Sequence, residues 1–231
     1  MISILAFLLL AAPAGSFTGE LWADIRPIYA QTLAHPFLKG LTDGTLPKPK
    51  FQFYLQQDAL YLRAFGQALN LLAAKAPRED WAITLSTHAI EAIRTEREMH
   101  ESILKSYGIT RPAAAMAPTN YAYTNHLLVA VGRGSFAEGL AALLPCYWIY
   151  LEVGRDLKKK GSPDRDYQRW IDLYSGDEYA KNVAQVLEMM NREAAKLDAA
   201  GKQRAAELFK LSARYEYLFW DMAWREERWR P

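Results

Sequence analysis

The chain has 231 residues, 51% of them apolar, and its 28 basic and 26 acidic residues leave a net charge of +2. That composition excludes a disordered chain and suffices for one sizeable core, while the interspersed charges leave no basic face for nucleic acid. Its single cysteine excludes an internal disulfide framework and a multi-cysteine zinc site.

Residues 1–16 stand apart as an apolar N-terminal segment. Met1 to Ala14 form an uncharged run, followed by Gly15-Ser16. Its length and small-residue end suit a secretory signal, yet no lysine or arginine precedes it. It is shorter than the ~20 apolar residues of a membrane-spanning helix. A cleaved signal, a weak anchor and a helix packed on the body are all open.

Residues 17–231 read as one helical domain. A first helix runs from Phe17 through Leu21, Ile25, Ile28 and Leu33, ending before His35-Pro36. Leu38–Lys50, with Gly40, Gly44, Pro47 and Pro49, reads as a turn-rich connector. The next helix starts near Lys48 and carries Phe51, Tyr54, Leu55, Asp58, Tyr61, Leu62, Phe65 and Leu69 at helical spacing. A single helix is expected over Arg78–Tyr107, closed by Gly108, then a loop over Arg111–Thr119. Asn120–Val131 forms a helix before Gly132 and Gly134. Ser135 caps the following one in a Ser-Phe-Ala-Glu box closed by Glu138. That helix runs to Leu157 and ends in three lysines and Gly161, as the helix dipole favours. Tyr167–Tyr174, Asp177–Ala199 and a last helix from Gly201 to about Trp229 complete an all-α bundle of about seven or eight helices.

The central helix contains Leu144-Pro145-Cys146-Tyr147-Trp148-Ile149-Tyr150. Proline there is expected to kink the helix and free a carbonyl. Tyr150 lies one turn beyond Cys146, so thiol and phenol share a face. The thiol has two readings, a nucleophile or a small buried hydrophobe, and this segment alone favours the second. Asp58 between Tyr54 and Tyr61, and Glu216 before Phe219-Trp220, put carboxylates on aromatic stripes. Each alone fits a structural ion pair, with Arg63 or Arg214. Three helices that each bring a reactive or acidic group beside aromatics instead suggest a pocket for a flat, polar heteroaromatic ligand. Di-iron bundles need Glu-x-x-His pairs, which none of His35, His88, His100 or His126 supplies, so no metal is expected. His126 stays open as a partner for the thiol.

Five segments, in order, carry a family resemblance: His35-Pro36-Phe37 with Asp43-Gly44-Thr45-Leu46-Pro47; Tyr54 to Leu62; Tyr121 to His126; Leu143 to Tyr150; and Tyr215 to Ala223. Through them the chain resembles the cysteine-containing branch of the TenA/thiaminase II family from Phe17 to Trp229. The resemblance implies a haem-oxygenase-like bundle without haem or other cofactor, a homotetramer, and a cytoplasmic enzyme; the apolar N-terminus leaves export as the alternative. It implies hydrolysis of the C–N bond at the pyrimidine methylene of 4-amino-5-aminomethyl-2-methylpyrimidine or thiamin, giving 4-amino-5-hydroxymethyl-2-methylpyrimidine for thiamin salvage. It further implies that Cys146 is the nucleophile and Glu216 the proton donor to the leaving amine. Asp58 would bind the aminopyrimidine edge, Tyr150 the substrate, and Tyr61, Tyr123, Tyr174 and Phe219 would form the aromatic wall. Thiolate addition to the ring breaks its aromaticity and lets ring electrons expel the amine. The alternative function is a non-catalytic pyrimidine-binding or regulatory protein. No helix-turn-helix with exposed cations supports DNA binding.

Overall fold

The computed structural model describes residues 15–108 and 115–230; the apolar run of residues 1–14 lies outside them. Ten α-helices follow one another in the described residues: α1 (Phe17–Ala34), α2 (Pro36–Asp43), α3 (Lys48–Ala73), α4 (Glu79–Glu91), α5 (Arg97–Ser106), α6 (Pro118–Arg133), α7 (Phe136–Lys158), α8 (Arg165–Tyr174), α9 (Asp177–Ala194) and α10 (Ala199–Arg225). No strand occurs among the described residues.

The bundle is built around α7. Eighteen of its 23 residues are buried, so it is apolar on every side and packs on α10, α9, α6, α8 and α3. By length and composition α7 could cross a membrane, but its apolar window is 89% buried inside the protein, which marks it as the core helix. Its start is fixed as expected: Ser135 accepts from the Glu138 N–H, and the Glu138 carboxylate accepts from the Ser135 N–H. The helix continues through Pro145 without ending. Near its C-terminal end Gly154 lets α8 approach, because a Cβ there would lie 2.7 Å from the Tyr174 carbonyl carbon. That contact holds the Tyr174 end of α8 against α7.

Four boundaries differ from expectation. The connector after His35 contains a helix, α2, nucleated by Pro36 at its first turn and by His35, whose Nδ1 accepts from the Phe37 N–H. Only its end is a turn, where Gly44 takes φ +69°, a left-handed conformation that disfavours other residues. The single helix expected over Arg78–Tyr107 is divided by a π-helical segment, Ala92–Glu96. Ile93 packs there with its Cδ1 close over Gly66. Asp177–Ala194 is shorter than expected, and Gly201 lies inside α10. Asp198 caps α10 by accepting from the Gly201 N–H, so the aspartate outweighs the glycine in setting the boundary. The last helix ends at Arg225 with Glu226 in a left-handed cap, short of Trp229. Gly108 and Gly161 both have positive φ and close the chain after their helices, as expected.

Candidate active site

Five helices bring the eight expected residues together at the middle of the bundle. α7 supplies Cys146 and Tyr150, one turn apart; α3 supplies Asp58 and Tyr61; α6 supplies Tyr123; α8 supplies Tyr174; α10 supplies Glu216 and Phe219. All eight are buried.

Glu216 is only 1% exposed. The bond it makes is not the alternative ion pair with Arg214: the Tyr123 hydroxyl donates to its Oε1 at 2.5 Å. Burial disfavours the carboxylate and pushes the pKa up to about 8, against the Tyr123 hydrogen bond, which works to lower it. Glu216 therefore carries its proton at neutral pH. Tyr61 stacks obliquely on Tyr123, with ring centroids 5.1 Å apart, and lies edge-on to Phe219 at 5.5 Å. Its phenol is held far above its ordinary pKa by burial and then by Cys146, Tyr123 and Glu216 around it. Tyr123 is raised in the same way by burial and then by Glu216 and Cys146. The thiol, two phenols and the carboxyl thus form one contiguous polar group within an apolar shell.

The other half of the cluster surrounds Tyr150. Burial raises its phenol first, with Tyr54, Asp58, Glu216 and Tyr174 adding to the effect. Its ring sits 4.8 Å from that of Tyr174 and 5.2 Å from that of Trp220. Tyr54 joins this network: its hydroxyl donates to Tyr150 at 3.3 Å and accepts from the Trp170 indole at 3.3 Å. Tyr54 was legible only as a neighbour of Asp58 one turn away. Trp170 gave no such signal.

Cys146, 8% exposed, lines a cleft of about 560 Å³ together with Leu62, Phe65, Tyr147, Leu173 and Tyr179. The Tyr179 hydroxyl donates to the Cys146 carbonyl at 3.2 Å, fastening the start of α9 to the helix just past Pro145. Of the eight expected residues only Cys146 lines this cleft; the other seven form the packed cluster around it. The histidine beside the cleft is His88, not His126. His88 meets the Tyr147 hydroxyl at 3.2 Å and Gln185 at 3.1 Å, and burial lowers its pKa. His126 bonds Ser212 at 2.9 Å and stacks behind Tyr123. Among the described residues no group of three or more His, Cys, Asp or Glu side chains is arranged to hold a metal ion. A shallower depression beside Asp43 and Lys160 is bridged by their ion pair and contains none of these residues.

Comparison with known proteins identifies the lineage. A family model described as TENA/THI-4/PQQC matches residues 22–226. The chain belongs to that family. It is 36% identical over 201 residues to the aminopyrimidine aminohydrolase of Bacillus subtilis, covering 86% of this chain and 85% of that one. It is 34% identical to the aminopyrimidine aminohydrolase of Halalkalibacterium halodurans, over 93% of this chain and 98% of the relative. A thiamine biosynthesis multifunctional protein of Corynebacterium efficiens is 35% identical over 93% of this chain, which spans only 29% of that protein's length. Among solved structures, a TenA homologue from Pyrococcus furiosus superposes with a TM-score of 0.84 at 29% identity, over 90% of this chain and 99% of the other. A domain of unknown function with a heme oxygenase-like fold from Shewanella denitrificans, 16% identical, gives 0.71 over 90% of this chain and 92% of the other. The TENA/THI-4/PQQC chain thus has the haem-oxygenase-like fold.

Proposed function

We propose that this family member is an aminopyrimidine aminohydrolase. It would cleave the C–N bond at the pyrimidine methylene of 4-amino-5-aminomethyl-2-methylpyrimidine or of thiamin, and give 4-amino-5-hydroxymethyl-2-methylpyrimidine for thiamin salvage. The observation that carries this function is a buried glutamic acid, Glu216, poised to give up a proton within the same polar group as the Cys146 thiol. The named activity of the relatives at 34–36% identity supports it.

In this mechanism the Cys146 thiolate adds to the pyrimidine ring and breaks its aromaticity. The ring electrons then expel the amine, and Glu216 donates the proton that the departing nitrogen takes. Water adds to the methylene carbon, the ring rearomatises, and the C–S bond breaks to return the thiolate. For the aminomethyl substrate the balance is one water consumed and one ammonia released. Asp58 holds the protonated aminopyrimidine edge, Tyr150 the substrate, and Tyr61, Tyr123, Tyr174 and Phe219 wall the ring. Turnover of both substrates by the wild type, with loss in Cys146→Ala and retained pyrimidine binding, is the expected result. Undiminished turnover in Cys146→Ala would remove the nucleophile assignment.

The same proposal includes a homotetramer in the cytoplasm. Exposed Ile83 and Ile90, two turns apart on α4, and exposed Tyr121, Val129 and Trp229 offer apolar surface for self-association. Light scattering gives the mass in solution, and mass spectrometry of the mature chain shows whether the first 16 residues are retained.

A further inference from the structure

Helices α3 and α6 are joined by a pair of buried amides, Gln57 and Asn120, 3% and 0% exposed. The Asn120 Nδ2 donates to the Gln57 backbone carbonyl at 2.7 Å and to Gln57 Oε1 at 3.1 Å. Gln57 Oε1 also accepts from the Ala117 N–H at 2.8 Å, and Gln57 Nε2 donates to the Ala115 carbonyl at 3.2 Å. Ala117 has no capping side chain of its own, so a side chain of α3 holds the start of α6.

The place of this pair ties it to the site. Gln57 precedes Asp58, and its carbonyl is the one that the Tyr61 N–H meets in helical geometry. Asn120 lies one turn before Tyr123, on the same side of α6. The bond between the helices is therefore one turn from the Tyr61–Tyr123 ring contact at 5.1 Å, and Tyr123 in turn donates to Glu216. Burying amides among apolar side chains is unfavourable, and Asn120 Oδ1 has no hydrogen-bond partner among the described residues. Asn120 thus stabilises the fold less than its bonds suggest. What it supplies is direction, because a hydrogen bond fixes how two helices meet where apolar contact does not.

We propose that Gln57 and Asn120 are positioning residues for the hydrolysis: their amide pair sets α6 against α3 and so holds Tyr123 at Glu216 and beside Tyr61. The proposal rests on the aminopyrimidine hydrolase function and adds two residues that act through Tyr123. With the pair broken, Tyr123 would turn from Glu216, and the proton donor would lose its aim at the departing nitrogen.

The experiment compares wild type with Asn120→Ala, and takes Gln57→Glu as the conservative variant. Asn120→Ala removes both bonds but leaves neither acceptor alone, since the Tyr61 and Ala117 N–H groups keep them. The carboxylic acid of Gln57→Glu retains an acceptor for Ala117 and Asn120 and a hydroxyl for the Ala115 carbonyl. In Asn120→Ala kcat is expected to fall about tenfold with KM within about twofold, while Gln57→Glu stays within about threefold of wild type. A second readout needs no turnover. Glu216 faces Tyr61, Tyr123 and Tyr150, and burial and the Tyr123 bond are what shift its carboxyl. The Glu216 titration, followed through the pH dependence of unfolding, should move to higher pH in Asn120→Ala and stay in place in Gln57→Glu. An Asn120→Ala chain that does not fold would overturn the proposal, because the pair would then serve stability alone. Unchanged kcat, an unmoved Glu216 titration, or an equal loss in Gln57→Glu would overturn it as well. A shifted titration in a protein that turns over no pyrimidine would instead keep the hold of the pair on Tyr123 and remove the hydrolase function.

Discussion

Glu216 shows how the surroundings of one side chain set its protonation. In water its carboxyl would be ionised at neutral pH; buried beneath Tyr123 it is a carboxylic acid up to about pH 8. Because its folded pKa is raised, its contribution to stability is complete below the ordinary glutamate value of 4.5 and is lost as pH rises toward about 8. Melting temperatures of wild type and Glu216→Gln should therefore diverge across that interval, with the glutamine variant becoming the more stable at alkaline pH. Activity should follow the same proton. The pH profile of kcat/KM is expected to fall above about 8. Glu216→Gln should lose about 10²–10⁴-fold in kcat along with that alkaline limb. Tyr123→Phe removes the bond that stabilises the carboxylate, so the limb should move to higher pH with the acid retained.

At the scale of single helices, α7 and α8 are joined by a contact with no tolerance. A methyl group at Gly154 would meet the Tyr174 carbonyl carbon at 2.7 Å and the Ser175 nitrogen at 2.9 Å, both backbone atoms that cannot swing away. Gly154→Ala should cost about 1–3 kcal/mol in urea unfolding, and it should also lower activity by shifting Tyr174 from Tyr150. Ser135→Ala offers a contrast, since it removes a cap from the start of α7 without touching the core; a cost of about 1 kcal/mol with kcat unchanged is expected. Helix starts were legible where a side chain closes a local hydrogen bond, as Ser135 and Glu138 do. They were misread where glycine and proline dominated, because Pro36 begins a helix as readily as it ends one, and Asp198 caps a helix that contains Gly201.

For the molecule as a whole, the candidate active-site cluster is part of the hydrophobic core. Trp170, Trp220, Tyr54 and Tyr150 pack ring on ring between α3, α7, α8 and α10. Trp170→Ala should accordingly cost about 3–5 kcal/mol in unfolding free energy and reduce turnover, whereas the same change at exposed Trp229 should affect neither by much. The sequence by itself determined the helical class, since apolar spacing at 3.6 residues is a local property, and it set Cys146 with Tyr150, and Asp58 with Tyr61, on shared faces. It also singled out Glu216, because a carboxylate on an aromatic stripe is conspicuous. Only the tertiary structure decided that Glu216 meets Tyr123 and not an arginine, that His88 and not His126 stands at the cleft, and that Asn120 bonds Gln57. The reason is physical: each of these is a contact between side chains far apart in the chain, fixed by how the helices cross and not by the spacing along any one of them.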